Sequence, residues 1–157
     1  MTDCQTCALT SRRDAGDAPP WDAILRTAEW DVVHAYNTSL VGWIVLVLRR
    51  HVTSMSQLTD AEARELGPLV MRISRALEAF TGCAKTYMAQ FAEHPLHPHV
   101  HVHVIPRPGN LRDDQTGPGI FSRLGVAEAE RVPQDRMNEV AHAVRAQAGT
   151  TGAEPGR

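Results

Sequence analysis

Hydrophobic and polar positions alternate strictly in the stretch HPHVHVHVIPRPG, residues 97–109. A strand sends successive side chains to opposite faces, so His97, His99, His101 and His103 fall on one side. Val100, Val102 and Val104 fall on the other, which predicts a strand with an apolar back and an imidazole-covered front. Upstream, WDVVHAY (30–36) reads as a strand and NTSLVG as a turn. WIVLVLRRHV follows as a nearly all-apolar strand that ends in Arg49, Arg50 and His51. From Thr59 the period becomes helical, with Leu66, Leu69, Val70, Ile73 and Leu77 on one face. Thr59 and Glu62 have capping-box spacing, Gly82 is a stop signal, and Gly67-Pro68 predicts a kink.

The remaining segments are read more coarsely. PPWDAILRTAEW predicts a short helix from Pro19-Pro20, with Trp21, Ile24 and Leu25 on one side. AKTYMAQF (84–91) predicts another strand, and 109–125 a glycine-rich loop. A last amphipathic helix is expected from about Gln134, carrying Met137, Val140, Ala141 and Val144 on one face. Residues 1–18 read as a polar loop and the TTGAEPGR tail, 150–157, as disordered. The order strand–strand–helix–strand–strand predicts an α+β fold with an antiparallel sheet, in a single domain over 1–157.

Composition narrows the functional classes. A chain of 157 residues, 43% apolar and 22% charged, has enough material for one core. A formal charge of -2 speaks against a nucleic-acid surface, so an anionic ligand must be held by local groups. No apolar run reaches the roughly 18–20 residues of a membrane span. MTDCQTCALTSRRD lacks the basic-then-apolar order of a signal peptide, so a cytoplasmic protein is expected.

Three cysteines, Cys4, Cys7 and Cys83, argue against a disulfide framework. Cys4 and Cys7 form a CxxC pair, a spacing that suits two thiolates on one metal or a redox couple. Cys83 reads as a small buried residue after the long helix. The histidine run itself admits three chemistries. It is a surface strand without a role, a metal site in which imidazoles two apart share zinc, or a nucleophilic site. Neutral imidazole suits the last of these near pH 7, and neighbouring imidazoles can hydrogen-bond phosphate oxygens.

His99-Val100-His101-Val102-His103-Val104-Ile105, followed by Pro106-Arg107, resembles the HxHxHxx signature of the histidine-triad (HIT) superfamily. GWIVLVLRRHV resembles that family's strand ending in a basic pair and a histidine, and the likeness extends over roughly residues 4–107. The resemblance implies a HIT-like fold, a homodimer and a nucleotidyl hydrolase or transferase. His101 would attack the α-phosphorus of a nucleotide to form a nucleotidyl-histidine intermediate, while His103 holds the α-phosphate oxygens. It further implies, as in the zinc-containing branch, a structural zinc on Cys4, Cys7, His51 and His99, with no catalytic metal.

Asn37 is the candidate ribose contact, or else a turn asparagine. Gln90 is a candidate phosphate contact, or else a solvated edge residue. The expected ligand is a purine nucleotide conjugate, such as a diadenosine polyphosphate or a nucleoside phosphoramidate, with neither nucleic acid nor membrane as partner. Where many members carry Gly-Gln-Ser/Thr before the triad, this chain has Glu93-His94-Pro95-Leu96-His97-Pro98. His94 and His97 are therefore either proton suppliers to the leaving group or loop residues. Two rival functions stay open: a zinc-dependent hydrolase using the strand histidines, and a non-catalytic nucleotide-binding protein.

Overall fold

A computed structural model describes residues 4–149. The predicted tail, 150–157, lies outside the described residues. In chain order the elements are α1 (Gln5–Asp14), β1 (Leu25–Arg26), β2 (Trp30–His34), β3 (Ile44–Leu48), α2 (Asp60–Thr81), β4 (Lys85–Ala89), β5 (His101–Arg107) and α3 (Gln134–Ala148). The five strands form one antiparallel sheet in the order β1-β2-β3-β5-β4. The fold is α+β, as the order of strands and helices predicts.

Each face of the sheet has its own covering. On one face Val32, Leu46, Val102 and Val104 meet Leu69, Ile73 and Leu77 of α2 and Val140 and Val144 of α3. The predicted apolar stripes of both helices are therefore what they bury. On the other face Val33, Trp43, Val45, Val47 and Ile105 pack with Ile120 in a smaller core. Among the described residues, no helix is long and apolar enough to cross a membrane.

The long helix starts as its sequence predicts. Glu62 N–H donates to Thr59 Oγ1 at 3.2 Å, and Thr59 N–H donates to the Glu62 carboxylate at 2.7 Å. Gly82 closes α2 with φ 67, a left-handed conformation that favours glycine. Pro68 lies within α2, which is helical without a break from Asp60 to Thr81.

Several expectations are corrected. Residues 1–18 are not all loop, because Gln5–Asp14 is helical. This helix buries Thr6 and Thr10 rather than an apolar stripe, so hydrophobic periodicity does not announce it. It is held instead by polar contacts. Gln5 N–H donates to the Leu96 carbonyl, and Arg13 reaches Asp22 at 2.7 Å and Asp31 at 3.6 Å.

PPWDAILRTAEW yields only a 3-10 turn at Pro20–Asp22. Ile24 N–H then bonds the Val32 carbonyl and Leu25 pairs with Val32, so edge pairing takes the segment from helix to strand. The apolar strand ends at Leu48, before the basic pair. The 109–125 segment contains 3-10 turns at Asp113–Gln115 and Gly117–Arg123, the second carrying Ile120 into the smaller core. Cys83 is half-buried at the α2–β4 turn, not part of the core.

Candidate active site and metal centre

The histidine strand is shorter than the alternation suggests. β5 begins at His101, because Pro98 has no N–H to give and His99 N–H turns back to the His97 carbonyl. His101 and His103 lie opposite Val47 and Val45 of β3 and share the face with the smaller core. Their rings are 5.0 Å apart, edge to face. Val100, Val102 and Val104 are buried on the opposite face, as expected.

Each ring of the triad has one nitrogen engaged by a partner of defined chemistry. His101 Nδ1–H donates to the His99 carbonyl at 2.7 Å, which leaves Nε2 as a bare lone pair. Trp43 Nε1–H donates to His103 Nδ1 at 3.0 Å, which puts the proton of the neutral ring on Nε2. His99 Nε2–H donates to the Leu48 carbonyl at 2.6 Å and leaves Nδ1 free to ligate. One chain segment thus presents a bare Nε2 on His101, an Nε2–H on His103 and a bare Nδ1 on His99, distinguished by the group behind each ring.

Burial keeps these rings neutral. It lowers the pKa of His101, against the opposing effect of the His99 carbonyl. Burial, with a smaller contribution from His101, pushes His103 down to about 3. His99 is lowered as well, first by burial. Neutral His101 is the form that can attack phosphorus.

His99 turns towards the N-terminal helix rather than the cavity. The ligand atoms of Cys4, Cys7, His51 and His99 all lie within 4.8 Å of one another. His51 Nδ1 is 3.2 Å from both His99 Nδ1 and Cys7 Sγ; Cys7 Sγ and Cys4 Sγ are 3.5 Å and 3.8 Å from His99 Nδ1. The edges of a zinc tetrahedron with these donors are about 3.3–3.8 Å. The donor set therefore fits a four-coordinate zinc with no position left open. Burial, reinforced by Cys4, pushes the Cys7 thiol up to about 11, a penalty that a cation at the centre of the cluster would relieve.

His101 and His103 open into a cavity of about 340 Å³. Val33, Ala35, Val45 and Val47 form an apolar wall from β2 and β3, with Phe121 and Leu124 beside it. The segment 91–97 contributes His94 and His97, and α1 contributes Thr6 and Leu9. Asn37 lies in the turn after β2 and also lines the cavity; its carbonyl accepts the N–H groups of Gly125 and Val126. Gln90, just beyond β4, is half-buried and is not part of the lining. A larger, more open groove of about 850 Å³ between α1 and α3 has neither histidine nor cysteine in its walls.

The expected zinc ligands are thus gathered in one cluster, and His101, His103 and Asn37 share one cavity; Gln90 stands apart. Trp43 is a site residue that the sequence reading missed. Its place at the head of an apolar run reads as core, and only period-two counting to Val45 and Val47 puts it on the histidine face.

A family model described as the HIT domain matches residues 22–110. No curated protein matches the chain. Among solved structures, a zinc-bound histidine triad family protein from Mycobacterium smegmatis is 20% identical, with 93% of each chain covered and a TM-score of 0.64. A hypothetical histidine triad nucleotide-binding protein from Sulfolobus tokodaii strain7 is 12% identical, covering 93% of this chain and 92% of its own, with a TM-score of 0.68. A histidine triad protein from Bradyrhizobium japonicum is 23% identical, covering 87% and 94%, with a TM-score of 0.64. The family model spans more than half of the 157 residues and includes the HxHxHxx run, and the chain belongs to the HIT-domain family.

Proposed function

We propose that this protein hydrolyses or transfers a nucleotidyl group at the α-phosphorus of a purine nucleotide conjugate, through a covalent intermediate on His101. The observation that carries this reading is the opposite protonation of two adjacent rings, a bare Nε2 on His101 and an Nε2–H on His103. Nε2 of His101 bonds to phosphorus as the bond from phosphorus to the leaving group breaks. The leaving group departs with that electron pair and takes its proton from solvent. Water, which releases a proton to solvent, or phosphate then attacks phosphorus, the P–N bond breaks, and His101 recovers its lone pair. His103 donates to the non-bridging oxygens, where charge accumulates. The apolar β2–β3 wall suits a nucleobase, and Asn37 serves the ribose.

A structural zinc on Cys4, Cys7, His51 and His99 holds α1 against the sheet. The zinc-bound description of the Mycobacterium smegmatis relative supports that role, and the nucleotide-binding description of the Sulfolobus relative supports the ligand class. The alternative of a zinc-dependent hydrolase is disfavoured by the donor set, since four protein ligands leave no open position for water. A homodimer is the assembly that family resemblance implies, and sedimentation tests it.

The test is incubation with diadenosine polyphosphates and adenosine phosphoramidate, with and without phosphate, following AMP and ADP by chromatography. AMP from the wild type, reduced about 10³-fold or more in His101→Ala, supports transfer through that ring. ADP formed only when phosphate is present identifies a phosphorylase. Nucleotide binding without product from either protein would leave the non-catalytic function.

A further inference from the structure

Helix α1 stands between the metal cluster and the cavity. Cys4 is its N-cap and Cys7 lies in its first turn, and both thiols belong to the cluster. Gln5, Thr6, Leu9 and Arg13 of the same helix line the cavity that contains His101 and His103. One short element therefore carries two of the four metal ligands and a wall of the site.

Little else fixes the first half of this helix. Ten residues are too few for a helix to persist alone in water. With no apolar stripe, α1 buries Thr6 and Thr10. Outside the cluster, and among the described residues, two bonds join residues 5–10 to the rest of the fold. Gln5 N–H donates to the Leu96 carbonyl at 2.9 Å, and the Thr6 hydroxyl meets His97 Nδ1 at 2.9 Å. Both partners belong to a segment without helix or strand. The far end is different, because the nearly fully buried Arg13 is held by Asp22 at 2.7 Å and by Asp31 at 3.6 Å. The two histidine ligands are also placed by the fold itself. His99 is buried with its Nε2–H on the Leu48 carbonyl, and His51 follows β3. The thiol side of the cluster is thus the side that can move.

We propose that α1 is a metal-latched wall of the nucleotide site, so that zinc on the cluster and nucleotide in the cavity each raise the affinity for the other. This rests on the ligand class and the structural zinc proposed above, and assigns the regulation of that site. The Arg13 end is the hinge, and residues 5–10 are the part that swings. Zinc release opens the cavity on the side of Thr6 and Leu9. It leaves His101 and His103 in place, because the His99 carbonyl and the Trp43 indole hold them. A nucleotide bound more tightly by the closed wall must favour, by the same factor, the metal that closes it.

The experiment titrates AMP by calorimetry into the zinc-loaded chain and into the chain stripped by chelator under reducing conditions. Affinity for AMP is expected to fall about tenfold without zinc. Saturating AMP should raise the affinity for zinc by the same factor, read by competition with a chromophoric chelator. Hydrogen exchange locates the change. The amides of Gln5 and Ala8, bonded to the Leu96 and Cys4 carbonyls, should lose protection without zinc and regain part of it with AMP. Those of Val102 and Val104 in β5 should keep theirs. Leu9→Ala, with zinc bound, tests the wall without touching the metal, and AMP affinity should fall several-fold at unchanged zinc content. Equal AMP affinity with and without zinc overturns the inference and leaves the nucleotide reading standing. Protection lost from β5 together with α1 overturns it too, since the metal would then hold the whole fold, and so does an unaltered AMP affinity in Leu9→Ala. If the zinc-loaded chain binds no AMP, the nucleotide reading fails and takes the inference with it.

Discussion

The indole N–H of Trp43 lies 3.0 Å from Nδ1 of His103, with both residues buried and their rings nearly perpendicular at 89°. An indole nitrogen can only donate, so this bond decides which nitrogen of His103 carries the proton. Trp43 also stacks edge-on against Phe121 at 5.3 Å, which ties the orientation of the donor to the packing of the smaller core.

Trp43→Phe removes the donor but keeps most of the packing. The expected result is a mixture of His103 tautomers, read from imidazole 15N shifts, and a fall in kcat of about tenfold. Benzothienylalanine at position 43 keeps the shape without the N–H and should reproduce the effect. Unchanged His103 shifts in both variants would remove Trp43 from any positioning role.

His34 should make stability fall with acid. Its Nδ1–H donates to the Ala35 carbonyl at 2.8 Å and its Nε2 accepts Gly42 N–H at 3.0 Å, so the neutral ring is fully satisfied. Burial lowers its pKa from 6.5 to about 4. The unfolded chain takes up this proton below pH 6.5, whereas the folded chain resists until about pH 4. The contribution is therefore complete above pH 6.5 and is lost progressively towards pH 4. At about 1.4 kcal/mol per pH unit it amounts to about 3 kcal/mol. Urea unfolding of wild type and His34→Gln across that range should show the difference between them shrinking as pH falls.

Chelation should destabilise the protein, and it should act first on α1. The cluster joins Cys4 and Cys7 at the start of that helix to His51 after β3 and His99 before β5. Metal analysis should give about one zinc per chain. Its removal, or Cys7→Ser, should lower Tm by roughly 10 °C or more and open α1 to proteolysis before the sheet. Loss of zinc without any change in Tm would argue against a structural role.

Gly42→Ala should cost about 1–3 kcal/mol, measurable as a shift in the urea midpoint. The glycine has φ 88, and a Cβ there would lie 3.1 Å from Thr81 Cγ2 and 3.2 Å from Leu77 Cδ2. The same change should disturb the N–H bond to His34, so the two substitutions should not be additive.

Local pattern alone carried much of the fold. Strict period two over 99–105 placed Val100, Val102 and Val104 in the core, because a strand has no other way to dispose of alternating side chains. Thr59, Glu62 and Gly82 marked the ends of α2, because capping chemistry acts over three or four residues. The HxHxHxx run and the CxxC pair were equally visible as spacings.

What tertiary structure decided is what each of those residues faces. Helix α1 has no apolar stripe, and its place is set by Asp22, Asp31 and Leu96, residues distant in the chain. His97 and His99 left the strand because Pro98 interrupts its hydrogen bonding and the thiols lie to one side. Chemically identical imidazoles took two tautomers, Nε2–H at 99 and 103 from the Leu48 carbonyl and the Trp43 indole, and Nδ1–H at 101 from the His99 carbonyl. A spacing rule specifies which side of a strand a ring occupies. Which of its nitrogens holds the proton depends on the group packed behind it, which for His99 is Leu48 of β3 and for His103 is Trp43 just before that strand.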